Sequence, residues 1–94
     1  MTKQELVKKI AKQIGNEIAP TEIIVEAFIA SVKEQLLKKE AVYLRGFGTF
    51  KLKRRAAKPA RIIHKNLAII VPPHFIPSFK PGKEFSKRVK KYVN

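Results

Sequence analysis

The sequence contains no cysteine, no tryptophan and no aspartate, and these absences exclude several classes of protein. Without cysteine there is neither a disulfide framework nor a thiolate metal site. There are two histidines, His64 and His74, and no carboxylate lies between Glu40 and Glu84 to orient them. Because a nucleophile, a base and an orienting group cannot be assembled from these residues, we expect no enzyme, no bound metal and no cofactor.

Long apolar runs are also lacking. The longest stretches are Leu67–Val71 and Ala27–Val32, the second of which contains a serine. Both are far shorter than the roughly 20 residues needed to cross a bilayer. Glu5 and scattered lysines interrupt the N-terminus before a signal-peptide core could form. We therefore expect no membrane span and a cytoplasmic protein.

Acidic residues are few and unevenly placed. The chain has 21 lysines and arginines against seven glutamates, a net charge of +14. Residues 1–40 contain seven lysines and six glutamates, whereas residues 41–94 contain fourteen basic residues and one glutamate. Because an ordinary solvated surface mixes both signs, the second half predicts a polyanionic partner, most often a nucleic acid. Binding to RNA or to an anionic membrane stays an alternative, favoured by the basic, amphipathic stretch 83–92.

The N-terminal segment predicts a short amphipathic helix. Thr2 and Glu5 have the spacing of a capping box, and Gly15 is suited to end the helix. The apolar stripe consists of Leu6, Ile10 and Ile14, which recur every four residues, and of Val7 and Ala11 beside them.

The segment from Pro20 to about Lys38 predicts a second, longer helix. Pro20 is suited to its first position, where a missing N–H group costs nothing. Apolar residues then follow helical spacing as far as Leu36. Two helices of this length predict a helical hairpin with a shared apolar face.

The pattern changes to that of strands after residue 41. Residues 42–44 are strand formers, residues 45–48 form a tight connection, and residues 49–53 alternate with period two. Phe50 and Leu52 therefore share one face, while Lys51 and Lys53 share the other. This alternation predicts a sheet with one apolar face and one basic face.

Residues 54–75 predict an extended two-stranded ribbon. A basic stretch to Arg61 leads to a turn at Lys65–Asn66, and residues 68–71 return as a strand. Because an isolated ribbon is marginal in water, we expect it to become ordered on its partner. Ile62 and Ile63 at its tip predict apolar wedges between base steps of the DNA minor groove.

The last predicted element is a helix that begins at about Lys83. Its apolar stripe contains Phe85, Val89 and either Tyr92 or Val93, and lysines and arginines cover the remaining surface.

Three segments together resemble the HU/integration host factor family of bacterial histone-like nucleoid DNA-binding proteins. They are Arg45–Phe50, the basic run through Arg55, Lys58 and Arg61, and the segment Ile76–Lys83. The resemblance extends from end to end and implies a single α+β domain over residues 1–94. It implies a helical dimerisation base at 1–40, a three-stranded antiparallel sheet with an extended β-ribbon arm at 41–82, and a short C-terminal helix at 83–94. The implied assembly is an intertwined dimer.

The resemblance also implies a function. The family's proteins are architectural: they bend and compact double-stranded DNA through minor-groove arms, mostly without sequence specificity. Kinked, nicked or bent DNA would be preferred, the second subunit would be an identical or homologous chain, and the location would be the bacterial nucleoid. A sequence-specific protein like integration host factor is the alternative within the family.

The site residues that we predict fall into three groups. The DNA-binding arm consists of Arg54, Arg55, Lys58, Arg61, Ile62, Ile63, His64, Lys65 and Asn66. The saddle and its flanks consist of Lys3, Lys51, Lys53, Lys80, Lys83 and Lys87. The dimer core consists of Phe28, Phe47, Phe50 and Phe79.

Three positions depart from the family pattern, one of which is Pro59 in the arm. Ile63 stands where the family usually has a proline wedge, and Lys39 stands where a glycine usually follows the second helix. If position 39 requires a positive φ, we expect lysine there to cost about 1 kcal/mol.

Overall fold

The structure is a computed structural model of the 94-residue chain, and it describes residues 1–56, 58–62 and 67–92, with the backbone alone described at 58–62 and 67–71. The chain divides into two compact units, Met1–Gln35 and Leu36–Asn94. Its elements, in chain order, are α1 (Lys3–Ile14), α2 (Ile18–Leu37), β1 (Val42–Leu44), β2 (Gly48–Arg55), β3 (Lys58–Ile62), β4 (Leu67–Val71), β5 (His74–Pro81) and α3 (Lys83–Lys90). The predicted helical hairpin, antiparallel sheet and C-terminal helix are confirmed.

Helix α1 has the ends that its sequence predicts. The hydroxyl of Thr2 accepts a hydrogen bond from the Glu5 amide at 3.2 Å. At the other end, Gly15 adopts φ 67°, and its amide donates to the carbonyl of Ala11. Glycine takes this left-handed conformation without steric cost, so the helix stops there.

Burial on α1 is centred on one edge of the predicted stripe. Val7 and Ala11 are buried, whereas Leu6 and Ile14 are 41% and 58% exposed. The stripe of an amphipathic helix is wider than one residue, and spacing alone does not indicate which edge of it faces the rest of the unit.

Helix α2 begins earlier than predicted, at Ile18 rather than at Pro20. Proline is tolerated at its third position because the first four amides of a helix have no partner within the helix. The Asn16 side chain accepts a hydrogen bond from the Glu17 amide at 3.0 Å, and the buried Thr21 hydroxyl donates to the Glu17 carbonyl at 2.7 Å. These bonds hold the first turn.

Lys39 follows α2 in the left-handed conformation, with φ 61°. Its amide donates to the carbonyl of Leu36 at 2.9 Å, which satisfies one of the last helical carbonyls. The positive φ on which the predicted cost depends is therefore present. The Lys39 ammonium lies 4.9 Å from the centre of the Phe75 ring, a cation–π contact.

Strands β1, β2 and β5 form an antiparallel sheet in the order β1-β2-β5. In its register Phe50 of β2 lies between Val42 of β1 and Phe79 of β5. Strand β5 contains Pro77 and Pro81, which an edge strand tolerates because one row of its amides needs no partner strand. Strands β3 and β4 pair antiparallel as a separate two-stranded ribbon, as predicted.

Four phenylalanines form an aromatic cluster in the second unit. The ring of Phe47 lies 4.7 Å from that of Phe79, 5.5 Å from that of Phe85 and 6.4 Å from that of Phe50. Phe50 and Phe79 are 4.9 Å apart. Offset and edge-on ring pairs at these distances contribute beyond their area burial, so the cluster stabilises this unit although Phe47 is 43% exposed.

The residue that caps the N-terminus of helix α3 is hydrogen-bonded to the turn between β1 and β2. The amide of Gly82 donates to the carbonyl of Phe47 at 2.8 Å, and Gly82 is the N-cap of the helix. The helix ends at Lys90, earlier than its predicted stripe requires. Tyr92 lies beyond that end and is 81% exposed, which corrects its predicted place on the stripe, and Val93 is outside the described residues.

Candidate nucleic-acid interface

The register of the sheet separates its residues into two faces. The apolar face contains Phe50, Leu52, Phe75, Pro77 and Phe79, together with Arg54. The opposite face is called the basic face below, and its members are Tyr43, Thr49, Lys51, Lys53, Arg55, His74, Ile76, Ser78 and Lys80. The predicted separation of Phe50 and Leu52 from Lys51 and Lys53 is confirmed, because paired residues of neighbouring strands share a face.

The basic face concentrates positive charge. Four of its side chains are cationic and exposed, namely Lys51, Lys53, Arg55 and Lys80, and its three strands contain no acidic residue. An open depression of about 590 Å³ is lined by β2 and β5, with Lys51, Lys53 and Lys80 among its lining residues. A one-signed surface of this kind attracts polyanions.

The structure places Arg54 and Arg55 on opposite faces of the sheet, although the sequence assigns both to the arm. Arg55 lies on the basic face opposite His74, whereas Arg54 lies on the apolar face opposite Phe75. His74 hydrogen-bonds through Nδ1 to the Pro72 carbonyl at 2.9 Å. Since a carbonyl can only accept, this ring nitrogen carries the proton.

The ribbon arm is confirmed as backbone pairing, from Lys58 opposite Val71 to Ile62 opposite Leu67. The predicted tip residues Ile63, His64, Lys65 and Asn66 lie outside the described residues. The side chains of the predicted arm residues Lys58, Arg61 and Ile62 lie outside them as well.

The predicted flanking lysines differ in their surroundings. Lys3 donates to the Glu26 carboxylate at 2.7 Å. This hydrogen bond, and then the carboxylate's charge, raise the pKa of Lys3 above its ordinary 10.5. The ion pair is therefore present at neutral pH, and as the pH rises it is lost when Lys3 deprotonates at that raised pKa. Lys83 and Lys87 are exposed on α3.

The predicted dimer-core phenylalanines belong to two different units of the chain. Phe47, Phe50 and Phe79 lie in the aromatic cluster of the second unit, whereas Phe28 lies on α2 in the first unit and is 48% exposed.

Tyr43 is a residue of the basic face that the sequence does not single out. It is 79% exposed and lies in β1 opposite Thr49. The alternation of residues 49–53 assigns faces only within β2. Placing Tyr43 on the same face also requires the register of β1 with β2, which the local sequence does not specify.

Two findings concern other kinds of site. Among the described residues, no three histidine, cysteine or acidic side chains are grouped closely enough to hold a metal ion. Within the same residues, none of the helices combines the length and apolarity needed to span a membrane.

Comparison with known proteins decides the family. The family model described as bacterial DNA-binding protein matches residues 1–90. The chain belongs to this family.

Members of the bacterial DNA-binding protein family match the chain along nearly its whole length. The DNA-binding protein HU of Clostridium pasteurianum is 40% identical over 91 residues, covering 97% of this chain and 100% of that protein. The integration host factor subunit beta of Marinobacter nauticus is 39% identical over 90 residues, covering 95% of this chain and 92% of that subunit. The resemblance predicted from the sequence is confirmed.

The fold also matches a solved structure of the family. HU of Anabaena in a co-crystal with DNA has a TM-score of 0.90 and 28% identity, covering 95% of this chain and 97% of that chain. The predicted fold class is thereby confirmed.

Proposed function

We propose that this protein is an architectural, histone-like DNA-binding protein that binds double-stranded DNA as a dimer and bends it, without catalysis. The observation that carries the proposal is the basic face of a sheet in a chain of the bacterial DNA-binding protein family. Four exposed cations on that face, with no acid in its strands, favour a phosphate backbone as the ligand.

The dimer is supported by apolar side chains that one chain leaves uncovered. Ile24 and Phe28, one turn apart on α2, are 60% and 48% exposed. Among the described residues, the buried apolar side chains are Val7, Ala11 and Leu36, a small core for a chain of 94 residues. Residues 1–40 would then supply the dimerisation base, residues 41–82 the DNA-binding sheet and arm, and helix α3 a flanking element.

Affinity and selectivity would come from different parts of the surface. Lys51, Lys53 and Lys80 on the basic face, with Lys3, Lys83 and Lys87 at the flanks, would neutralise phosphates and position the duplex. The arms would follow the minor groove, with Ile63 as the wedge at the tip. Selectivity would follow the deformability of the DNA, so kinked or nicked duplexes would bind best. This function would place the protein in the cytoplasm, on the bacterial nucleoid.

The salt dependence of binding to a fluorescently labelled duplex tests the proposal. If about eight phosphates are neutralised, log K falls against log salt concentration with a slope near −7. Lys53→Gln should make the slope shallower by about 1.8, since it removes one phosphate contact from each subunit of the dimer. Lys12→Gln, in the exposed part of α1, is the matched control and should leave the slope unchanged. A binding constant insensitive to salt would contradict the proposal.

Competition binding experiments distinguish the proposed function from the alternative functions. Preference for one site over bulk genomic DNA would indicate a sequence-specific protein like integration host factor. Tighter binding to duplex RNA or to anionic vesicles than to duplex DNA, at matched salt, would contradict a DNA-specific role.

A further inference from the structure

Tyr43 occupies an unusual place on the basic face. It is the middle residue of the edge strand β1, between the half-buried Val42 and Leu44, and its own side chain is 79% exposed. In the register, Tyr43 lies opposite Thr49, and Thr49 lies opposite Lys80. The three residues therefore form one row that crosses all three strands on the basic face.

This row lies at the end of the basic face that is farther from the arm. Arg55, the last residue of β2, is six residues from Thr49 on the same strand. At about 3.4 Å per residue, the Tyr43 row and the Arg55 row are about 20 Å apart. A duplex lying along the face would cover this distance with about six base pairs, at about 3.4 Å each.

The chemistry of the row favours a phosphate oxygen as the ligand of Tyr43. Lys80 supplies positive charge in the same row, and Lys51 supplies it in the next one. A phenol hydroxyl is neutral at physiological pH and donates a hydrogen bond, and tyrosine is among the side chains that contact the DNA backbone. The charge draws the backbone to this face, and the hydroxyl provides a directed donor at its edge.

We propose that Tyr43 is a DNA-contacting residue, whose hydroxyl donates to a backbone phosphate of the duplex at the end of the basic face farther from the arm. The inference rests on the proposed DNA-binding function and adds a neutral, directed contact to the cationic ones. It makes the length of bound duplex depend on Tyr43 as well as on the arm.

The substitution Tyr43→Phe tests the contact because it removes the hydroxyl and keeps the ring. Loss of one neutral hydrogen bond from each subunit of the dimer should weaken binding to a long duplex by about ten- to a hundred-fold. The slope of log K against log salt should not change, because no charge is removed. Lys80→Gln should instead make that slope shallower by about 1.8, because each subunit of the dimer loses one cationic contact.

The second tyrosine of the chain provides the matched control. Tyr92 is 81% exposed and lies after α3, outside the sheet, so Tyr92→Phe should leave the affinity unchanged. The chain has two tyrosines and no tryptophan, so the Tyr92→Phe protein has Tyr43 as its sole tyrosine fluorophore. Its emission should change when unlabelled DNA is added.

Duplex length tests the location of the contact. The reference is the shortest duplex that the unsubstituted protein binds with full affinity. Trimming that duplex by about six base pairs at each end should remove the difference between the Tyr43→Phe and unsubstituted proteins. Persistence of the full difference on the trimmed duplex would overturn the proposed location.

Equal affinity of the Tyr43→Phe and unsubstituted proteins on the long duplex would overturn the contact itself. This result is distinct from failure of the proposed function, in which the unsubstituted protein would show no salt-dependent binding to DNA at all.

Discussion

At the scale of single residues, Lys39 combines a backbone cost with a side-chain gain. Its φ of 61° is unfavourable for a residue with a Cβ atom, by about 1 kcal/mol. Its ammonium lies over the half-exposed Phe75 ring, a contact that stabilises by about 0.5–1 kcal/mol at exposed sites. The two effects are similar in size and opposite in sign.

A double-mutant cycle separates these two effects. Lys39→Gly alone should change the free energy of unfolding little, because it relieves the backbone and loses the ring contact together. In a Phe75→Leu background, the same change should stabilise the protein by about 1 kcal/mol. Denaturant unfolding at fixed protein concentration measures both values. Equal effects of Lys39→Gly in the two backgrounds would show that the contact contributes nothing.

At the scale of elements, the junction of β2, β5 and α3 depends on a close approach at Gly48. A Cβ atom at Gly48 would lie 2.5 Å from the Lys80 carbonyl oxygen and 2.6 Å from the Phe79 ring. A Cβ atom at Gly82, at the start of α3, would find nothing nearer than 3.5 Å. The two glycines therefore differ in what surrounds them, although both adjoin the aromatic cluster.

Alanine substitutions test this difference. Gly48→Ala should lower the free energy of unfolding by about 1–3 kcal/mol, because the strands must separate to admit the methyl group. Gly82→Ala is the matched control, and its effect should be small because the added atom meets ordinary van der Waals distances. Thermal or denaturant unfolding of both proteins checks this, and equal effects would contradict the close approach as its cause.

Elements whose signals are local could be predicted from the sequence. The two faces of β2 follow from the alternation of residues 49–53, and the ends of α1 follow from Thr2 and Gly15. The family resemblance implies strand β5, whereas the strand's own pattern does not predict it, because Pro77 and Pro81 interrupt the sequence typical of a strand. The sequence predicts the start of α2 two residues late, since proline is compatible with any position of a first turn.

The sequence could predict the charged residues of the candidate site, but not which residues the pairing of strands brings beside them. Lys51 and Lys53 follow from alternation, and their face is confirmed. Tyr43 joins them only through the pairing of β1 with β2, and Arg54 and Arg55 are adjacent in sequence but lie on opposite faces. The roles of these residues in binding stay predictions.

At the scale of the whole molecule, the proposed dimer places α2 at a subunit interface. Phe28 and Ile24 are on one side of this helix, and Ile23 is about 140° away from Phe28 around the axis. Ile23 is 69% exposed, so both sides of the helix present apolar surface in one chain. We assign the side with Phe28 to the interface.

Charge substitutions on α2 distinguish the two sides. Phe28→Glu should abolish the dimer, because it would bury an unpaired carboxylate between the subunits. Ile23→Glu should keep it, because its side of the helix stays in water. Light scattering should give a mass of twice 10.7 kDa for the unsubstituted and Ile23→Glu proteins. A dimer that survives Phe28→Glu would contradict this assignment.

The central claim is that the protein bends the DNA it binds. Energy transfer between dyes at the two ends of a linear duplex, measured during a protein titration, tests this claim most directly. We predict that the ends approach each other as the complex forms. Ile63→Ala should reduce this approach more than it weakens binding to a pre-kinked duplex, because only the linear duplex must still be opened by the wedge. Saturated binding with no change in the end-to-end distance would contradict the account.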